Sequence, residues 1–185
     1  SRHSVRNNVA SGNGQGFVLA FTEEGHTLEG NVATGNGNPM VFGHGFTVFG
    51  NRHTVVSNSS IGNGGIGFLI NSTNGVGTVF QRNEVIGNRG AGIWVLAGPN
   101  LEFHRNDIFG NLGQTIGGFF PAAPNCGLVN DSGSTQDATF NFWGAPSGPG
   151  PDPADDAGPG SICDLDGVTT VEPFETRLNI LAEEP

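Results

Sequence analysis

A chain of 185 residues can form one domain with a real core, yet only 35% of it is hydrophobic and 32 residues are glycine. A compact globule is hard to build from that composition, whereas a repeat architecture buries each unit against its neighbours along one axis. The net charge of −10 lies at one end, since residues 1–111 hold six acidic residues and six arginines, and residues 112–185 hold eleven acidic residues and Arg177 alone; this argues against nucleic acid and anionic membrane as partners.

The N-terminus lacks the basic-then-apolar order of a signal peptide, and no run reaches the apolar length of a transmembrane helix. The chain is therefore expected to be soluble, with any export signal already removed. Ser1-Arg2-His3 leads straight into Val5 and the first of five Asn-x-x-x-Gly-Asn phrases. These begin at Asn8, Asn31, Asn58, Asn83 and Asn106, at intervals of 23, 27, 25 and 23 residues. Val5, Leu28, Val55, Phe80 and Phe103 each stand three places before the first Asn. A second phrase reads Gly-apolar-x-apolar: Gly16-Phe17-Val18-Leu19, Gly45-Phe46-Thr47-Val48, Gly67-Phe68-Leu69-Ile70 and Gly92-Ile93-Trp94-Val95, with Gly118-Phe119-Phe120 as a partial fifth. Alternation at period two predicts short strands, and the leading glycine suits a corner where a positive φ costs little. No segment carries a useful helical period.

Short strands and corners at this period fit either a meander of hairpins or a coil that advances one strand spacing per turn. Hairpins need no like-with-like register, whereas here each residue type returns to the same place in each unit. A coil sets unit above unit about 4.8 Å apart, so identical residues stack. Two asparagine ladders follow, one through Asn8, Asn31, Asn58, Asn83 and Asn106, the other through Asn13, Asn36, Asn63, Asn88 and Asn111. Each amide can donate to the next Asn and to local carbonyls, satisfying polar groups at the corners.

With these phrases the chain resembles the right-handed parallel β-helix proteins of the pectate-lyase-like superfamily. The likeness covers about residues 4–120 and continues into Asn141-Phe142-Trp143-Gly144-Ala145-Pro146-Ser147-Gly148-Pro149, similar to the closing C-terminal segment of many secreted members. It implies an all-β, right-handed parallel β-helix of about five to six coils over residues 1–120. Residues 121–185 would then supply a final coil, a Pro/Gly-rich acidic loop and a C-terminal cap. The resemblance leaves function open, because the scaffold carries lyases, hydrolases, epimerases, adhesins and structural shafts.

In such a coil Phe17, Leu19, Phe46, Val48, Phe68, Ile70, Ile93 and Val95 face inward, with Val5, Leu28, Val55, Phe80 and Phe103 on another wall. Val18, Thr47, Leu69, Trp94 and Phe120 then face outward as a mostly apolar row, a candidate binding surface. The tail folded back, a partner or neighbouring copy, or a sugar ring on Trp94 would each cover it.

Candidate catalytic groups are few. Glu84 and Asp107 hold the same place on adjacent coils, and two carboxylates so placed can perform acid and base work or hold a cation. Arg82 and Arg105 recur two places earlier and can neutralise them, and His104 adds a titratable group. The resemblance to the lyases implies clustered acidic calcium ligands with an Arg or Lys, or a Tyr/His pair. With no tyrosine in the chain, only a site built from Glu84, Asp107 and Arg105 survives that comparison.

The tail holds both cysteines. Cys126 and Cys163 lack histidine partners nearby for zinc, so a disulfide is expected, and with it an oxidising, extracellular or cell-surface setting, the alternative being two free buried thiols. It would enclose the irregular stretch Pro146–Pro159. Residues 121–137 contain Pro121, Pro124 and a Ser/Gly/Asp turn cluster, Phe140 to Trp143 read as a capping coil piece, and Val168–Val171 and Leu178–Leu181 as two last strands. Asp152, Asp155 and Asp156, then Asp164 and Asp166 before Gly167, are the candidate calcium ligands, although the twelve-residue loop pattern is missing and solvated acidity fits them equally. No other cofactor is expected.

The sequence thus points to a secreted structural or adhesive shaft rather than to an enzyme, and its uncovered first coil implies either that more chain preceded Ser1 or that another copy stacks there, end to end, into a filament. The alternatives are an enzyme cleaving acidic polysaccharide by elimination and a carbohydrate-binding module.

Overall fold

The computed structural model describes residues 2–19, 24–37, 43–72, 77–150, 155 and 163–179. The strands follow the repeat coil by coil. The first coil contains β1 (Ser4–Arg6), β2 (Val9–Ser11) and β3 (Phe17–Leu19), and the second β4 (Thr27–Glu29), β5 (Val32–Thr34) and β6 (Phe46–Phe49). The third holds β7 (Thr54–Val56), β8 (Ser59–Ile61) and β9 (Phe68–Asn71), and the fourth β10 (Val79–Gln81), β11 (Glu84–Ile86) and β12 (Ile93–Ala97). After β13 (Glu102–His104) and β14 (Asp107–Phe109) come the long β15 (Leu128–Asp137) and β16 (Asp164–Thr170). No helix among the described residues is long and apolar enough to cross a membrane.

Every pairing between coils is parallel and like-with-like. The first wall stacks β1, β4, β7, β10 and β13; the second stacks β2, β5, β8, β11 and β14; the third stacks β3, β6, β9, β12 and β15. Five strands on the second wall span four complete turns, with partial turns beyond them, slightly fewer than the five to six coils expected. β15 reaches from β12 round to β13 and so joins the first and third walls, and β16 lies along its outer side.

The core is the inward columns. Leu28, Val55, Phe80 and Phe103 are fully buried on the first wall, Ala33, Val85 and Ile108 on the second, and Phe46, Phe68, Ile93 and Leu128 on the third. Each large apolar side chain so placed contributes about 1.5–3 kcal/mol. Because coil advance matches ring thickness plus clearance, equivalent rings lie flat on each other: Phe46 on Phe68 at 4.6 Å and Phe80 on Phe103 at 4.9 Å between centroids.

Both asparagine ladders form. Asn58 offers Oδ1 to the Asn31 N–H at 3.0 Å and Nδ2 to the Leu28 carbonyl at 3.0 Å, and the same two bonds tie each coil to the one before it. The first ladder gains a sixth rung, Asn141, whose Oδ1 accepts from the Asn106 N–H at 2.8 Å. The second ends on a carboxylate: Asp155, fully buried, accepts from Asn111 Nδ2 at 2.8 Å and from the Gly110 N–H at 3.1 Å. Each rung follows a left-handed residue, and on the first ladder this is Asn7, Gly30, Ser57, Arg82, Arg105 and Phe140, with φ between 53° and 65°.

Several expectations change. The glycines opening the third wall do not have positive φ; they make room. A Cβ on Gly67 would fall 2.4 Å from the Gly92 carbonyl oxygen, and one on Gly92 would fall 2.6 Å from that of Gly127. The fifth phrase of that wall is Gly127-Leu128-Val129-Asn130, since Ile93 pairs with Leu128 and Trp94 with Val129. Within 121–137 the Ser/Gly/Asp turn cluster lies inside a strand, β15, as an irregularity in its pairing with β16 between Asn130 and Ser134. The strand expected at Val168–Val171 begins earlier, at Asp164. Leu178 and Asn179 are not in a strand, and Ile180 and Leu181 lie outside the described residues. Trp143 closes the core as a fully buried plug.

Candidate functional site

Glu84 and Asp107 do lie opposite each other, in register on β11 and β14. Neither is an unengaged acid. Asp107 is 1% exposed and its Oδ1 accepts from the Asn179 backbone N–H at 2.9 Å and from Asn179 Nδ2 at 3.1 Å. Glu84 accepts a 2.5 Å hydrogen bond from the Ser59 hydroxyl one coil away. Arg82 and Arg105 both stand at the corner with φ 55°, so the strand alternation that would set them beside Glu84 and Asp107 stops short of them. His104 belongs to another face. Its Nδ1 lies 3.1 Å from the Thr139 carbonyl, and its Nε2 is 3.7 Å from Asp137 and 3.9 Å from Glu102. The structure therefore brings Glu84 and Asp107 together and does not bring Arg105 or His104 to them.

The outward row of the third wall is not an open surface. Val18 is 53% exposed, but Thr47, Leu69 and Trp94 are all buried. Phe120 is not a member of the row, whose fifth position is Val129. Instead the insertion at residues 110–127 folds over the wall, setting Phe120 edge-on to Trp94 with 5.2 Å between centroids. Ile66, Leu69, Trp94, Ala123, Cys126, Val129 and Cys163 form a second apolar cluster there. The insertion is shaped by Gly113, at φ 58°, whose Cβ would meet the Ala123 carbonyl oxygen at 1.8 Å. Under the same cover His44 is 3% exposed and accepts the Ile66 N–H at 3.0 Å on Nδ1. Burial pulls its pKa down to about 4.

The disulfide expected in the tail is present, joining Cys126 to Cys163 with 5.7 Å between Cα atoms. Of the acidic candidates, Asp152 and Asp156 lie outside the described residues. Asp155 closes the second asparagine ladder. Asp164 accepts from the Thr169 hydroxyl at 2.6 Å and the Thr169 N–H at 3.1 Å, and Asp166 is exposed. No group of three or more metal-ligating side chains gathers among the described residues.

Two columns that sequence reasoning missed run beside the first wall. His3, His26 and His53 stand two places before Val5, Leu28 and Val55, and they stack with centroid distances of 5.3 and 5.2 Å. Nδ1 of His26 accepts the His3 N–H and Nδ1 of His53 the His26 N–H, both at 3.1 Å. The hydrogen-bond network assigns the proton of His53 to Nε2, which donates to the Phe49 carbonyl at 2.9 Å. Burial, first of all, lowers the pKa of His53.

One place earlier Arg2, Gly25, Arg52 and Gly77 form a second column. Arg2, His3, Ser4, Gly25, Thr27, Arg52 and Thr54 line a groove of about 390 Å³ on the outer face. Its floor is set by register, because Ser4, Thr27 and Thr54 are direct partners on β1, β4 and β7. The signal for both columns was the repeat itself, read at offsets other than the asparagines.

A parallel solenoid with amide ladders at two corners and aromatic stacks within defines a β-helix repeat protein. The chain belongs to the family described as right handed beta helix region, which matches residues 1–117. No curated protein and no solved structure matches it.

Proposed function

We propose that this chain is a structural or adhesive β-helix shaft working outside the cell and stacking end to end, rather than an enzyme. The observation that carries this reading is the employment of its acids: Asp107 holds Asn179, Asp155 ends a ladder, Asp164 holds Thr169 and Glu84 holds Ser59. Asp107 and Asp155, buried as well as bonded, lack the open approach that proton transfer to a substrate requires, and half-buried Glu84 is left without a second open acid beside it. Support for stacking comes from the parallel, in-register pairing of successive coils, because an edge built to accept a like unit within the chain also suits a like unit of another copy. The disulfide supports an oxidising compartment.

Sedimentation and electron microscopy of the purified chain test the reading, alongside an absorbance assay for unsaturated uronide products with calcium present. End-to-end multimers without product are expected. A monodisperse monomer that releases unsaturated uronides would overturn it in favour of the lyase alternative.

A further inference from the structure

We infer that the groove beside the first wall is an oxyanion-binding site, taking a sulfate, phosphate or carboxylate group between Arg2 and Arg52. Its lining consists of two guanidiniums, three hydroxyls, an imidazole and a glycine, with no carboxylate. Donors of this kind, fixed on a rigid wall, match an anion with several acceptor oxygens, and the two guanidinium charges disfavour a cation.

The repeat builds the spacing. Arg2 and Arg52 occupy one column two coils apart, about 10 Å along the axis, and Gly25 holds the position between them. Gly25 adopts φ 78°, and a Cβ there would fall 3.0 Å from Arg2 Nε and 3.4 Å from its Cδ. The Arg2 side chain therefore lies across Gly25, and the missing Cβ is what lets it reach over the groove. Among the described residues no carboxylate pairs with Arg2. Arg52 gives one nitrogen to Glu24 at 2.8 Å, and the planar guanidinium retains further donors for a ligand. Ser4, Thr27 and Thr54 complete the site with hydroxyls one strand spacing apart. Glu24, beside the groove, is the competing anion, and its removal should favour an incoming one.

The test is a titration followed by NMR of the arginine Nε–H and histidine ring signals. Sodium sulfate, phosphate, acetate and a sulfated disaccharide are each exchanged for chloride at constant ionic strength. Saturable shifts confined to the Arg2, Arg52 and His3 region are expected. Arg2→Gln and Arg52→Gln should each weaken binding about tenfold, the worth of one charge-assisted contact, while Glu24→Gln tightens it and Arg82→Gln leaves it unchanged. Both arginines are exposed, so these variants keep the fold. Tighter saturation by the disaccharide than by free sulfate assigns the site to a glycan-borne ester, and equal saturation assigns it to the free ion. Shifts that stay linear, or that are the same in Arg2→Gln, overturn the proposal.

Discussion

Replacing Asn83 by alanine tests the ladder where it is most enclosed. Asn83 is 1% exposed, and its Oδ1 accepts from the Asn58 N–H at 2.9 Å and from Asn58 Nδ2 at 3.1 Å. Its Nδ2 donates to the Val55 carbonyl at 2.9 Å and to Asn106 Oδ1 at 3.0 Å. Asn83→Ala strands the buried Asn58 N–H, which costs about 1–3 kcal/mol, and removes the other three bonds, each worth about 1 kcal/mol net where its partners find no replacement. With some of those partners keeping other bonds, the expected loss is about 3 kcal/mol. Asn83→Asp keeps an acceptor for Asn58 but turns the second oxygen toward the Val55 carbonyl and Asn106 Oδ1, so it should cost at least as much at neutral pH. Asn8 is the internal control. It is exposed, its amide bonds only Arg6 and Asn31, and Asn8→Ala should cost about 0.5 kcal/mol or less. Urea denaturation reads these losses as shifts in midpoint at unchanged slope. If Asn83→Ala and Asn8→Ala differ by less than about 0.5 kcal/mol, the ladder is not what binds coil to coil.

Other consequences can be measured alongside. Gly67→Ala drives a methyl into the Gly92 carbonyl at 2.4 Å, whereas Gly87→Ala meets nothing within 4 Å and suffers only its φ of 62°. The first should cost about 3 kcal/mol or more and the second about 1 kcal/mol, and equal losses in thermal melts would contradict the packing account. His44 is held neutral by burial, with its pKa depressed from 6.5 to about 4, so its contribution is fully present above pH 6.5 and is lost as pH falls from there toward 4. The total is about 3 kcal/mol. Stability measured between those limits should show one proton's slope that His44→Gln removes, and an unchanged slope would exclude His44 as the source. Reducing Cys126–Cys163 opens a loop spanning 37 positions; stability should fall by about 4 kcal/mol in the chain-entropy account, and a melt indifferent to reductant would show the closure to be redundant.

How far the sequence discloses this molecule depends on whether a feature repeats. The ladders, the inward columns and the pairing of Glu84 with Asp107 repeat, so counting intervals places them. The cover over Trp94 does not, because it depends on an insertion whose turn at Gly113 no periodicity announces. β15 does not show in the sequence for a related reason: Ser132 and Gly133 have turn chemistry and do turn, Gly133 at φ 68°, as an irregularity inside a strand that pairs with β16 on either side of them. The third-wall glycines repeat plainly, yet their role was misjudged, since a glycine kept for positive φ and one kept to let carbonyls approach look alike in sequence. Asp107 and Asp155 show the limit most sharply. Their partners, Asn179 and Asn111, are far away along the chain, and nothing local distinguishes a ladder terminus or a tail anchor from a cation ligand.

On the oxyanion proposal, the arginine column places binding where the repeat is broken. Asparagine can occupy every coil because each amide donates upward and accepts downward, so stacking satisfies it. Arginine has no acceptor. Two guanidiniums on adjacent coils, as Arg82 and Arg105 are, repel by about 0.9 kcal/mol in water at about 4.8 Å, and doubling the separation halves this. Gly25 between Arg2 and Arg52, and Gly77 after it, provide that doubling. A column alternating Arg with Gly cannot satisfy itself coil to coil as the asparagines do: Glu24 takes one nitrogen of Arg52, and the donors left over are what the proposed oxyanion would meet.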